Sequence, residues 1–99
     1  MATVVVVLES GFSGHRVVIT VDGDTVLEAV NVTTDRETSL AGSVAVACGP
    51  LCRIEVLLPD QGAAEEVTLH LTELTYLRVS LQDGRRPILT PSREGPRYV

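Results

Sequence analysis

The residues of this chain best suited to chemistry are two cysteines and a few loop carboxylates. Cys48 and Cys52 bracket Gly49-Pro50-Leu51, a predicted turn between two strands. A disulfide across this turn is sterically feasible if the two Cα atoms come within about 7 Å, whereas a reducing compartment would keep both residues as free thiols without a function. A tetrahedral metal site needs two further ligands, and His15 and His70 have no matching spacing.

Four acidic side chains in predicted loops come nearest to an oxygen-ligand cluster. They are Asp22, Asp24, Asp35 and Glu37. Loops at one end of a β-sandwich can hold calcium, which prefers oxygen ligands. Carboxylates are also ordinary solvated residues of turns, and no loop has the alternating Asp/Asn spacing of a dedicated calcium loop. A calcium site is therefore the alternative hypothesis, not the leading one.

No arrangement of nucleophile and base indicates catalysis. Neither histidine has a serine or cysteine at a spacing typical of an activated nucleophile, and no Gly-x-Ser-x-Gly turn occurs. All 8 basic residues are arginine, which removes Schiff-base and phosphate-loop lysines. The adjacent Glu65 and Glu66 point to opposite faces of a strand. We expect a protein that is not an enzyme and uses no cofactor.

Size and charge limit the domain count and the partners. The chain has 99 residues, enough for one domain. Its net charge of −5 repels nucleic acid and anionic membranes. The N-terminus lacks the features of a signal peptide, and no apolar run reaches membrane-spanning length. We expect a cytoplasmic protein whose partners are neither nucleic acids nor membranes.

Strand signals recur along the chain and predict an all-β fold. Valine and threonine suit a pleated strand better than a helix, and no stretch has a convincing period of 3.6. Such regular spacing is typical of a sandwich. The predicted strands cover 3–9, 15–21, 25–32, 39–47, 52–58, 66–72 and 75–82, with a short eighth near 87–90. We expect an antiparallel β-sandwich of about seven or eight strands, immunoglobulin-like or related, over 1–90 with an irregular tail over 91–99.

Two local patterns constrain the topology. Asp22-Gly23 lies between two valine-rich runs and supplies the positive φ angles of a tight hairpin. The runs 66–72 and 75–82 each alternate apolar and polar residues, so each has one buried face. If these two runs form a hairpin, Leu71 pairs with Leu77. If the chain instead crosses between sheets, as immunoglobulin-like sandwiches often do, that pairing does not form.

One stretch, His15 to Asp35, combines a strand, a Val21-Asp22-Gly23 turn, a second strand and a Thr-Thr-Asp ending. It resembles the hairpin of many immunoglobulin-like and calcium-dependent carbohydrate-binding sandwiches. The similarity covers about a fifth of the chain. It implies a sandwich architecture and, for the alternative function, a ligand in Asp-rich loops.

Two segments are too apolar for strands with one face in water. Val4 to Leu8 is continuously apolar, and the hairpin from Val17 to Val30 has apolar groups on both sides. Such strands either lie centrally in the fold or are buried against another copy, since large exposed apolar patches mark interfaces. The second hypothesis names as interface residues Val4, Val6, Val18 and Val30. We expect a non-catalytic interaction or structural module that self-associates through an apolar sheet face or edge; the alternative is a calcium- or small-ligand-binding sandwich.

Overall fold

The chain folds into eight strands that form two sheets. The computed structural model describes residues 2–35, 37, 40–70 and 75–92. Its elements are β1 (Ala2–Leu8), β2 (His15–Val21), β3 (Asp24–Val32), β4 (Gly42–Cys48), β5 (Leu51–Leu58), a 3₁₀ turn (Pro59–Gln61), β6 (Ala63–His70), β7 (Thr75–Gln82) and β8 (Arg86–Ser92). Sheet A has the order β4-β1-β7-β8 and sheet B the order β3-β2-β5-β6. The predicted all-β, two-sheet architecture is confirmed.

The strand boundaries differ from the predicted ones by a few residues. The largest shifts are at β4, which begins at Gly42 instead of 39, and at β6, which begins at Ala63 instead of 66. Strand β8 ends at Ser92 and so includes the first two residues of the predicted tail. Residues 93–99, the rest of that tail, lie outside the described residues.

One strand pair departs from the expected antiparallel arrangement. Strands β1 and β7 pair in parallel, whereas the other pairs are antiparallel. The chain passes from β6 in sheet B to β7 in sheet A, so of the two alternatives the crossing between sheets is confirmed and the hairpin is wrong. Leu77 pairs instead with Val6 and Pro91, and Leu71 lies outside the described residues. A parallel pair needs a long connection, and all of sheet B lies between β1 and β7.

Most of the core consists of aliphatic side chains at every second position of the strands. In β2 and β5 the alternate residues facing sheet A are buried, because the two sheets cover each other on one face only. Val4 and Val6 are 0% exposed and lie in this core. Their prediction as interface residues is therefore wrong, since no partner can reach them in the folded chain. Val18 is half-buried on the outer face, and Val30 is 73% exposed.

The Asp22-Gly23 turn forms as predicted. Asp22 has a φ of 51° and Gly23 a φ of 89°, the two positive values of a two-residue hairpin loop between β2 and β3. The Asp22 N–H donates to the Arg53 carbonyl at 2.8 Å, and the Arg53 N–H donates to Asp22 Oδ1 at 3.0 Å. The turn is thereby fixed to β5 as well.

At the opposite end of the sandwich, a buried histidine ties the two sheets together. The Ser13 N–H donates to His15 Nδ1 at 2.8 Å, so the ring proton is on Nε2. That nitrogen lies 2.7 Å from the Gly84 carbonyl and donates to it. The ring thus connects the start of β2 in sheet B to the β7–β8 turn in sheet A.

The β1–β2 loop packs so closely on β7 that it requires glycine. The Leu81 N–H donates to the Ser10 carbonyl at 2.9 Å. Gly11 has a φ of +93°, and a Cβ there would lie 2.5 Å from the Leu81 carbonyl oxygen. Because that oxygen belongs to the backbone of a core strand, it cannot move aside easily.

We predict that Gly11→Ala destabilises the fold by about 3 kcal/mol, because steric overlap adds to the strain of a positive φ. Gly23→Ala is the matched control. Its φ is also positive, but a Cβ there meets nothing within 4 Å, so we expect a loss of about 1 kcal/mol. Urea unfolding measures both, and equal losses would contradict the proposed overlap.

Candidate functional site

The described part of the sandwich presents four edge strands, β4 and β8 in sheet A and β3 and β6 in sheet B. An edge strand exposes a row of backbone N–H and C=O groups to which another strand can bind. Proteins usually blunt such edges with proline, charge or bulges. Each edge can therefore be assessed by the residues that it presents.

The edge formed by β8 is blunted by proline. The Val79 carbonyl accepts from the Glu9 N–H, so the backbone groups of Val79 point towards β1. Val79 and its cross-strand neighbour Leu89 on β8 are therefore a pair without hydrogen bonds between them. The backbone groups of Leu89, and of Pro87 and Pro91 two residues away on either side, point outward. Proline has no N–H. Of these three outward-facing residues, only Leu89 therefore offers a backbone donor to a partner strand.

The edges of sheet B are interrupted by charge and by bulges. Strand β6 carries Glu65 and Glu66, which lie 3.9 Å from Arg86 and Arg53 respectively. A groove of about 430 Å³ between β6 and β8 is lined partly by Glu65, Glu66 and Arg86. Strand β3 has two register shifts against β2 and a positive φ of 56° at Asn31. Bulges of this kind twist an edge away from a flat partner.

Strand β4 has none of these features. It pairs with β1 in an unbroken register and contains neither proline nor a charged residue. The Leu8 carbonyl accepts from the Ala41 N–H at 2.6 Å, so Leu8 and the residues alternating with it in β1 face β4. It follows from the register that the N–H and C=O groups of Ser43, Ala45 and Ala47 point away from the sheet. All three residues are exposed, and we call them the β4 edge.

Apolar side chains line the same side of the sandwich beneath the β4 edge. Strands β3 and β4 lie next to each other there. Four of their inward-facing residues are only half-buried although they contact the core. We call this set the apolar strip; it consists of Leu27, Ala29, Val44 and Val46. A strand added to β4 would cover part of it.

The outer face of sheet A next to β4 has little charge. Alanine and serine of β4 lie beside Val5 and Val7 of β1. The nearest charges on this face are paired with each other, since Arg78 Nε lies 3.0 Å from Glu9 Oε1. A second molecule approaching the β4 edge therefore meets no isolated charge among these described residues.

The four carboxylates predicted as calcium ligands are not brought together. Strand β3 runs from Asp24 to Val32 and is about 26 Å long at 3.3 Å per residue, with Asp22 and Asp24 at its start and Asp35 and Glu37 beyond its end. One oxygen of Asp22 accepts from Arg53, and one of Asp35 accepts from the Glu37 N–H at 2.7 Å. Among the residues that the structure describes, no group of three or more acidic, histidine or cysteine side chains is placed to hold a metal.

The two cysteines form a disulfide in the structure. Cys48 and Cys52 are bonded, with their Cα atoms 5.9 Å apart, within the usual range. Both side chains are buried. The bond joins the end of β4 in sheet A to the start of β5 in sheet B. It therefore anchors one end of the edge strand to the opposite sheet.

The two histidines lie in different surroundings. Both ring nitrogens of His15 bond to backbone groups, so its role in the fold is to connect the sheets. His70 is exposed at the end of β6, opposite Leu51.

No protein-family model matches this chain, and no curated protein matches it. Over the described ranges, no helix has the length and apolar character needed to cross a membrane. The function must therefore be inferred from the geometry of the chain itself.

Sequence reasoning missed the β4 edge. The available signal was the segment Gly42 to Cys48, which combines β-branched and small residues without charge or proline. That pattern is equally typical of a central strand. Only the strand order shows that it lies at an edge.

We predict that Asp22 has a structural role and does not bind a metal. Asp22→Ala should lower stability by about 1 kcal/mol, because the Arg53 N–H loses its acceptor. Asp24→Ala, at an exposed neighbouring position, should have almost no effect. Millimolar calcium should leave the melting temperature of the wild type unchanged. A calcium-dependent rise in melting temperature that Asp22→Ala abolishes would contradict this assignment.

Proposed function

We propose that this protein is a non-catalytic interaction module that self-associates by adding a strand to its β4 edge. One observation carries the proposal. In an uncharged strand of regular register, the backbone N–H and C=O groups of every second residue, Ser43, Ala45 and Ala47, point away from the sheet. In such β-augmentation, main-chain hydrogen bonds supply affinity and side-chain fit supplies specificity.

The expected affinity is modest. Three outward-facing residues on each side can exchange about six main-chain hydrogen bonds, worth about 0.5–1.5 kcal/mol each. Covering Val44 and Val46 adds apolar burial. Association itself costs about 4–15 kcal/mol. The balance favours a reversible, concentration-dependent assembly over a permanent one.

The charge distribution favours protein partners over nucleic acid. Four of the arginines in the described residues lie within 4 Å of an acidic side chain, and the pairs are Arg16–Glu28, Arg53–Glu66, Arg78–Glu9 and Arg86–Glu65. Pairing of this kind leaves less positive charge to attract phosphates. The net charge of −5 also makes copies repel each other, so added salt should strengthen self-association by screening.

A cytoplasmic location is part of the proposal. A disulfide such as Cys48–Cys52 is more usual in oxidising compartments. Both residues lie beyond the outward-facing positions of the β4 edge. The strand-addition mechanism therefore does not depend on which compartment holds the protein.

We predict that Ala45→Pro abolishes self-association while the monomer stays folded. Ala45 points its N–H away from β1, so proline removes an outward donor and breaks no bond within the sheet. The preceding residue, Val44, already has the extended backbone that proline requires. Sedimentation velocity over a series of concentrations measures the association.

Ala64→Pro is the matched control. Ala64 is also an exposed alanine on an edge strand, and its N–H points outward because Arg53 and the residues alternating with it in β5 face β2. We expect Ala64→Pro to associate like the wild type. Equal association of the wild type and Ala45→Pro would contradict the proposal.

A further inference from the structure

We propose that the strand added to β4 is β4 of a second copy, antiparallel to the first and related to it by a two-fold axis that passes between the two Ala45 residues. This inference rests on the proposed function, and it specifies the register of the same site. It makes the contact isologous, so that the assembly closes as a dimer.

The sequence of β4 is almost a palindrome around Ala45. Reading outward in both directions gives valine, then a small residue, at Val44 and Val46 and then at Ser43 and Ala47. Antiparallel pairing about Ala45 therefore places valine opposite valine on the inner face. On the outer face it places small residues opposite small residues. Each copy therefore presents side chains that match in size those opposite them on the other copy.

The backbone directions match this register. The backbone N–H and C=O groups of Ser43, Ala45 and Ala47 all point outward. Ala45 therefore forms a hydrogen-bonded pair with Ala45 of the second copy, and Ser43 forms one with Ala47 of the second copy. Such pairs exchange two bonds each and bring the Cα atoms to about 5.5 Å.

Charge also favours β4 over β6 for self-pairing. Strand β6 pairs with β5 without a register shift. Self-pairing of β6 centred on Glu66, however, would set two carboxylates opposite each other, which is destabilising. No ionised side chain of β4 meets its own copy in the proposed dimer.

The dimer also covers apolar surface that the monomer leaves open. Val44 and Val46 contact the core but are only half-buried. In the dimer each is flanked by valine of the second copy. The four-stranded sheet A of one copy joins sheet A of the other into one continuous sheet, so β4 is no longer an edge strand.

Single cysteine substitutions test the register. Ala45→Cys should form a covalent dimer on mild oxidation, because a Cα separation of about 5.5 Å suits a disulfide. Ser43→Cys alone and Ala47→Cys alone should not, because each residue lies about 14 Å from its own copy along the strand. An equal mixture of these two variants should form a covalent dimer. Non-reducing electrophoresis shows the dimer, and mass spectrometry of the linked peptides excludes Cys48 and Cys52.

The outcomes separate this inference from the function on which it rests. If sedimentation shows only monomer at every concentration, self-association through β4 is overturned and the register with it. A second outcome overturns only the register. In that outcome the wild type associates and Ala45→Pro does not, but Ala45→Cys fails to crosslink and either Ser43→Cys or Ala47→Cys crosslinks on its own. The mixture of Ser43→Cys and Ala47→Cys keeps the test valid even if Ala45→Cys unfolds.

Discussion

The alternating direction of successive residues along each strand determines both which side chains form the core and which backbone groups are exposed at the edge. A strand that turns every second side chain towards the opposite sheet also turns every second pair of backbone groups towards one neighbour. In β4 the residues facing the core, Val44 and Val46, bond to β1, and the residues facing solvent direct their backbone groups outward. The valine core therefore determines which backbone groups remain for a partner. Neither can change without the other.

Most of the fold could be predicted from the sequence because its signals are local. The eight strands follow from apolar periodicity, and the β2–β3 turn follows from Asp22-Gly23. The parallel pairing of β1 with β7 could not be predicted, because it joins segments about 70 residues apart without a local signal. The continuous apolar run of β1 had two interpretations, and its central place in sheet A explains it without an interface. The immunoglobulin-like assignment remains a prediction.

The candidate site was less predictable, because it depends on which strands are outermost. Val4 and Val18 were both predicted as interface residues on apolar character alone, yet one is in the core and the other is half-buried on the outer face of sheet B. The carboxylates show the same limit, since Asp22 and Asp35 are close in sequence but lie at opposite ends of β3. The sequence predicted self-association through an apolar sheet face or edge. Only the topology shows that β4 is an edge strand.

Hydrogen exchange of individual amides, measured by NMR at rising protein concentration, tests the β4 edge most directly. The outward amides of Ser43, Ala45 and Ala47 should exchange rapidly in dilute protein and become protected as the concentration rises, because association supplies their acceptors. The outward amides of Ala64 and Thr68 on β6 should exchange at a constant rate. Exchange at β4 that does not depend on concentration, or protection that rises equally on β6, would contradict the account.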